Sequence, residues 1–166
     1  MSALKLLFCT APSNPLSWAI RVRTWSRWSH VALVDGDSVI EAVALKGVVR
    51  TPLWRRQAVD PRWAISALPC RDPSAVIEAA TTQLGKPYDY TAVAGLGLRR
   101  VWKDADSWFC SELVAWAFDQ GGSPLFRTES MRRVTPENLW MLRPAEMLSQ
   151  DLSSTIPTTE PAKELP

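Results

Sequence analysis

Ser29-His30-Val31-Ala32-Leu33-Val34, then Asp35-Gly36-Asp37, then Ser38-Val39-Ile40-Glu41-Ala42-Val43: apolar runs on either side of an Asp-Gly pair are a strong short-range signature of a β-hairpin. The turn also makes a chemical prediction. With Asp35-Gly36 as a two-residue loop, Val34 faces Asp37, and counting back puts His30 directly opposite Glu41. Side chains paired in this way have Cβ atoms about 4.5–5.5 Å apart, close enough for imidazole to meet carboxylate. A three-residue loop would instead set Val31 against Glu41 and send the carboxylate to the other face. The expectation is the two-residue loop and a cooperating pair. Each residue also has a plainer explanation. His30, the only histidine in the chain, could be a core residue bonded to a backbone carbonyl. Glu41 could point to solvent from the polar face of an antiparallel sheet, since burying it is expensive unless something charged or donating meets it.

Around the hairpin the chain alternates strand and helix signals. Leu4 to Cys9 reads as a first buried strand, Gly47 to Thr51 as a strand ended by Pro52, and Trp63 to Leu68 as another. Ser13 or Asn14 caps a short helix with Pro15 at its first position; Leu16, Ala19, Ile20 and Val22 form its inner side. Asp72 caps a helix from Pro73 to about Leu84, with Ala75, Val76, Ala79, Ala80 and Leu84 inward and Gly85 as its stop. Trp54-Arg55-Arg56-Gln57 reads as a solvated basic loop, and Arg99-Arg100 and Arg132-Arg133 as solvated charges. Thr91 to Leu98 reads as a short helix, and Thr135 caps another that Pro136 opens and that runs towards Leu142. From about Ser149 the chain is Ser, Thr, Pro and Glu with little apolar content, a flexible tail. The pattern predicts one α+β domain over 1–148 and a tail over 149–166, with no repeats.

Composition sets the outer limits. A chain of 166 residues with 46% hydrophobic and 22% charged content is long enough for a sizeable core and ordinary for a soluble globule. A net charge of +2 is too small to argue for nucleic acid or a membrane surface. Cys9, Cys70 and Cys110 are widely spaced, without a pair at metal-ligand spacing, which argues against a disulfide framework and a zinc site. No metal or cofactor is expected. The Leu4–Cys9 run is short for a signal-peptide core and Lys5 interrupts it; no apolar run approaches the roughly 18 residues of a membrane span. The expected location is the cytoplasm as synthesised, or a virion or export route that needs no signal peptide. Nine tryptophans are unusual, and Trp18, Trp25, Trp28, Trp54 and Trp63 lie near arginines, as an aromatic-basic surface patch would require.

The remaining polar signal is Trp108-Phe109-Cys110-Ser111-Glu112-Leu113-Val114. Asp106 or Ser107 can cap a helix whose apolar stripe is Leu113, Val114, Trp116, Ala117 and Phe118, and Gly121-Gly122 stops it. With Ser107 as the cap, Cys110 falls at the third helical position, near unpaired N–H groups and the positive end of the helix dipole. Such a site favours thiolate over thiol. The alternative is a small buried apolar residue, the common fate of a free cysteine. Glu112 gains from the same dipole and reads as structural. If Glu41 orients His30, and His30 takes the proton of Cys110, the three form a nucleophilic constellation.

The order strand, helix, Trp28-Ser29-His30-Val31-Ala32-Leu33-Val34, Val39-Ile40-Glu41-Ala42, Gly85-Lys86-Pro87-Tyr88-Asp89-Tyr90 and Phe109-Cys110-Ser111-Glu112-Leu113-Val114 resembles the circularly permuted, YiiX-like branch of the NlpC-like, papain-like cysteine peptidases. The resemblance covers roughly residues 4 to 142. It implies an antiparallel sheet packed against helices, a histidine strand that precedes the cysteine helix, and a nucleophile at a helix N-terminus. It further implies Cys110 as nucleophile, His30 as base and Glu41 as orienting third residue, with Tyr88 lining the site. Ser111 and Trp28 are expected beside it as substrate-contacting residues. Family members hydrolyse amide bonds, notably in cell-wall peptides, and relatives act on lipid acyl groups; a second histidine of some acyltransferases is absent here. The expected partner is a peptide or peptidoglycan-fragment substrate, not nucleic acid. The rival of another class is a non-catalytic module of a phage or secretion assembly, with tryptophan and arginine as its interface.

Overall fold

A computed structural model describes residues 2–10, 17–18, 21–22, 25–60, 62–88, 108–127 and 134–142. The chain is α+β. Strands β1 (Ser2–Thr10), β2 (His30–Asp35), β3 (Ser38–Val43), β4 (Gly47–Pro52) and β5 (Arg62–Cys70) form one antiparallel sheet in the order β4-β3-β2-β1-β5. Helix α1 (Leu53–Val59) follows β4, and α2 (Pro73–Thr81) follows β5. Helix α3 (Cys110–Gln120) carries the cysteine, and α4 (Pro136–Met141) follows it.

The hairpin forms, with a different loop. Leu33 pairs with Ile40, Val34 with Val39 and Asp35 with Ser38, so Gly36-Asp37 is the loop rather than Asp35-Gly36. Gly36 takes φ +58 at the first loop position, where a Gly-X hairpin turn needs a left-handed residue. Moving the loop by one residue shifts every pairing by two, and a shift of two preserves faces. The β2–β3 ladder runs from Asp35–Ser38 to Leu33–Ile40, so His30 and Glu41 are not directly paired residues as the two-residue Asp35-Gly36 loop would have made them.

Alternation along the strands builds two interiors. Leu4, Leu6, Phe8, Val31, Leu33, Ile40 and Ala42 share one core with Val76 and Ala80 of α2, with Leu113, Val114, Ala117 and Phe118 of α3, and with Leu139 and Trp140 of α4. Leu7, Cys9, Ala32, Val34 and Val39 form a smaller cluster that Leu53 of α1 and Ile65 pack against. On the larger side α2 and α3 touch closely: a Cβ on Gly121 would lie 2.5 Å from Val76 Cγ2 and 2.8 Å from its backbone nitrogen.

Helix ends follow the side chains that can cap them. Asp72 accepts from the N–H groups of Ser74 and Ala75, and Thr135 and Asn138 form a reciprocal capping box. α2 ends at Thr81, so Leu84 lies past the helix and is exposed instead of packing inward. The Trp54-Arg55-Arg56-Gln57 stretch is not a loop; it is the middle of α1, which Leu53 N–H anchors by donating to Asp37 C=O at 2.8 Å. Ser17-Trp18 and Arg21-Val22 are helical. The 13–16 cap, the 91–98 helix, the basic 99–103 and 132–133 stretches and the tail lie outside the described residues. Among the described residues no helix is long and apolar enough to cross a membrane.

Candidate active site

Cys110 is the first residue of α3, with Phe109 in extended conformation (φ −88°, ψ 150°) as the cap and no side chain capping the helix. Asp106 and Ser107 lie outside the described residues, and Cys110 stands at the first helical position rather than the third. The shift has a local cause. Trp108 is held as strand, its N–H donating to Pro87 C=O at 3.0 Å in a parallel bridge with Tyr88. Helical geometry can therefore begin only after Phe109. The other side of the Gly85-Lys86-Pro87 segment bonds to β4: Val48 N–H donates to Lys86 C=O at 2.8 Å, and Gly85 N–H to Val48 C=O at 2.9 Å. Gly47 permits this approach, since a Cβ there would lie 2.2 Å from the Lys86 oxygen. The Gly-Lys-Pro-Tyr motif thus ties the cysteine's lead-in to the edge of the sheet. Tyr88 is buried, its ring 6.2 Å from that of Phe109.

His30 opens β2, where it pairs with Cys9. The chain entering it is pinned at several points. Ser29 N–H donates to Cys9 C=O at 3.1 Å, Trp28 N–H donates to Ser26 Oγ, and Glu137 Oε2 of α4 accepts from Ser26 Oγ at 2.9 Å and from Arg27 N–H at 3.1 Å. α4 also meets the cysteine side, because Ser111 Oγ donates to Val134 C=O, just before the Thr135 cap, at 2.6 Å. One short helix therefore braces both the histidine's approach and the cysteine's helix. Ser111 is fully buried, and its hydroxyl is engaged by this bond. Trp28 is not part of a surface patch either. It is buried against Phe8 and Trp140 at 6.0 and 4.9 Å between ring centroids, and its Nε1 has no hydrogen-bond partner. Among the described tryptophans Trp18, Trp25, Trp54 and Trp63 are exposed.

The polar groups converge on the imidazole. His30 Nε2 lies 2.7 Å from Glu41 Oε2, and Glu41 is 2% exposed. Burial disfavours the imidazolium, but a hydrogen bond with the Cys110 side chain, a second with Glu41 and the electrostatic influence of Cys110 outweigh it and raise the His30 pKa to about 9. Burial likewise raises the Glu41 pKa; the His30 hydrogen bond and charge, the Arg56 charge and a hydrogen bond from Thr51 reverse this and hold the carboxyl below its ordinary value. Of the three residues expected to act together, His30 thus interacts with both of the others.

Sequence reasoning missed Arg56 and Asp60. Arg56 is not solvated: its side chain is 14% exposed, its Nε lies 3.0 Å from the same Glu41 Oε2, and it pairs with buried Asp60 one helical turn on. Arg55 beside it is exposed, as the basic-loop reading expected. The i, i+4 spacing of Arg56 and Asp60 was the available signal.

No protein-family model and no curated protein matches this chain. Among solved structures, it is similar to the metalloprotein YiiX from Escherichia coli O157:H7, at 23% identity and a TM-score of 0.57, over 72% of this chain and 66% of that one. The chain therefore spans about two thirds of that protein's length, and what the two share at this identity is the fold. Among the described residues, no group of three or more His, Cys, Asp and Glu side chains could hold a metal ion, and His30 and Arg56 both occupy Glu41 Oε2. What the two proteins share is a YiiX-like fold, and in this chain His30 interacts with both Glu41 and Cys110.

Proposed function

We propose that this chain is a thiol hydrolase of the circularly permuted papain-like kind, which cleaves an amide bond through an acyl-enzyme. One observation carries the reading: the single histidine of the chain interacts with Cys110 and with a buried carboxylate at once. In that arrangement His30 takes the proton of Cys110, and the sulfur attacks the carbonyl carbon, forming a C–S bond as the C=O π electrons move to oxygen. Backbone N–H groups in the first turn of α3 lack helical partners and stabilise the oxyanion. Collapse breaks the C–N bond, and the imidazolium gives its proton to the departing amine. Water, deprotonated by His30, then hydrolyses the thioester and regenerates the thiol. Glu41 fixes the imidazole's orientation and stabilises its charged form throughout. Tyr88, packed on Phe109 next to the sulfur, lines the acyl side. The helix start, the edge strand and the α4 brace support this by holding the groups rigidly.

Iodoacetamide tests the reading before any substrate is known. Cys110 is expected to alkylate rapidly below pH 7 and to slow by about 100-fold or more in His30→Ala, with Cys9 and Cys70 unlabelled in the folded protein. A Cys110 that labels no faster than free thiol, indifferent to His30, overturns it. The exposed Trp18, Trp25, Trp54 and Trp63 would then favour the binding-module alternative. Incubation with muropeptides and with acyl esters assigns the bond: release of an amine from the first supports a cell-wall amidase, and release of fatty acid from the second a lipid acyl hydrolase. Cys110→Ala is expected to abolish either.

A further inference from the structure

Behind the imidazole lies a second layer of charge. The carboxylate that His30 contacts is also reached by a side chain of α1, and both partners use one atom. His30 Nε2 is 2.7 Å and Arg56 Nε 3.0 Å from Glu41 Oε2. Arg56 Nε makes no hydrogen bond in this position, so its pull on Glu41 is that of a charge set beside the oxygen. Its far end is fixed by Asp60, which is itself buried. The helix that presents it is fixed in turn, since Leu53 N–H bonds to Asp37 in the hairpin loop that sets the place of Glu41.

We propose that Arg56 is a positioning residue for the His30–Glu41 pair, holding Glu41 in place from behind and drawing off part of the carboxylate's charge so that His30 can hand its proton on. The inference rests on the hydrolase reading for its purpose, though not for its test. Its logic is a count of buried charges. Glu41 and Asp60 carry two negative charges, and Arg56 and a protonated His30 carry two positive ones. Remove Arg56 and two carboxylates face one imidazolium, which holds its proton too tightly to act as an acid; remove the carboxylates and the imidazolium has no support. The groups around His30 are Cys110 from α3, Glu41 from β3, Arg56 from α1, Asp60 just beyond it and Cys9 from β1. Burial pushes the Cys9 thiol up to about 12 against the opposing charge of Arg56, so it stays neutral and adds no charge near neutral pH. Of these groups Arg56 lowers the proton affinity of His30, whereas Cys110 and Glu41 raise it.

Because His30 is the sole histidine, the full chain reports on it without assignment. Its imidazole C–H resonance is followed by NMR through a pH titration. Arg56→Gln is expected to move the midpoint upward by about one unit, and Arg56→Lys, which keeps the charge, to restore most of the original value. A midpoint that stays put in Arg56→Gln while Tm falls shows Arg56 to be packing alone and overturns the proposal. Should Arg56→Gln fail to fold, Asp60→Asn reads the same coupling with opposite sign. Freed from its own carboxylate, Arg56 bears wholly on Glu41 and the midpoint drops; an unmoved midpoint is again fatal. Failure here is separable from failure of the hydrolase reading. Iodoacetamide labelling of the unaltered protein judges the nucleophile, and the titration judges Arg56 whether or not any bond is cleaved.

Discussion

The two faces of the sheet are made from the same strands and could hardly differ more. On the face under α2 and α3, Leu4, Leu6, Phe8, Val31, Leu33, Ile40 and Ala42 alternate inward, and Phe8, Leu33, Ile40, Leu113 and Phe118 are sealed from water. On the face under α1, the cluster of Leu7, Cys9, Ala32, Val34 and Val39 is flanked by Glu41, Arg56 and Asp60, charged groups that are buried or nearly so. In β3 the contrast falls between neighbours: Ile40 and Ala42 serve the first face, Val39 and Glu41 the second. One interior supplies stability by area removed from water. The other holds charges that must be paired to be tolerated at all, an arrangement suited to setting proton affinities and poorly suited to stability. His30 stands at the end of β2, where α3 brings Cys110 to it.

The contrast breaks most visibly at Phe118. Truncation to alanine removes a fully buried ring from the apolar face and is expected to cost about 4 kcal/mol in urea unfolding, leaving the His30 titration midpoint of the surviving fold where it was. Glu41→Gln attacks the other face. Its cost is expected to be about 3 kcal/mol, because His30 and Arg56 lose a shared carboxylate, and the His30 midpoint should fall clearly below its raised value of about 9. An apolar truncation that moved the midpoint, or a Glu41 substitution that did not, would show that the two faces are not separate in function.

A pH series probes the charged face with no substitution. His30 has a folded pKa raised from 6.5 to about 9, so its contribution is complete below about 6.5 and is lost as pH climbs through 9. Glu41 is lowered from 4.5, so its contribution is complete above 4.5 and disappears as pH drops through the folded value. Cys9, raised from 9.0 to about 12, favours the folded state less and less once pH passes 9. Tm by calorimetry should therefore be highest between about 4.5 and 6.5 and decline in the alkaline direction. In His30→Gln the part of that decline between 6.5 and 9 should vanish, and the part above 9 should persist.

How much of this was legible depends on whether a feature is local. The hairpin was, because Asp-Gly between apolar runs constrains a turn. Its register was not, because Asp35-Gly36 and Gly36-Asp37 are both turn pairs and only the surrounding sheet chooses. Parity protected the expectation that His30 and Glu41 share a face. The cysteine helix was legible from its stripe and its glycines; its first residue was not, since the Tyr88–Trp108 bridge that delays the helix joins segments far apart in sequence. Arg56 was hidden for a different reason. A short run of tryptophan, arginine and glutamine after a proline looks like a solvated loop, and the local sign that one arginine turns inward is only the i, i+4 spacing of Arg56 and Asp60. The burial of Glu41 is the stronger sign but belongs to the fold, since a single neighbouring histidine is thin support for a carboxylate at 2% exposure.

α1 offers the smallest and most pointed test, because it is a helix turned inside out. Trp54 and Val59, 70% and 62% exposed, face water, while Arg56 faces the sheet. Ordinary amphipathic logic would assign the tryptophan to stability and the arginine to solubility. The charge arrangement assigns them the other way. Trp54→Ser should therefore change unfolding free energy by less than about 0.5 kcal/mol and leave the His30 midpoint and Cys110 alkylation unaltered. A substantial loss of stability from Trp54→Ser would mean that α1 is held by its apolar side chains after all. The inward Arg56 would then be carried along by the helix, and the helix would not owe its place to Arg56.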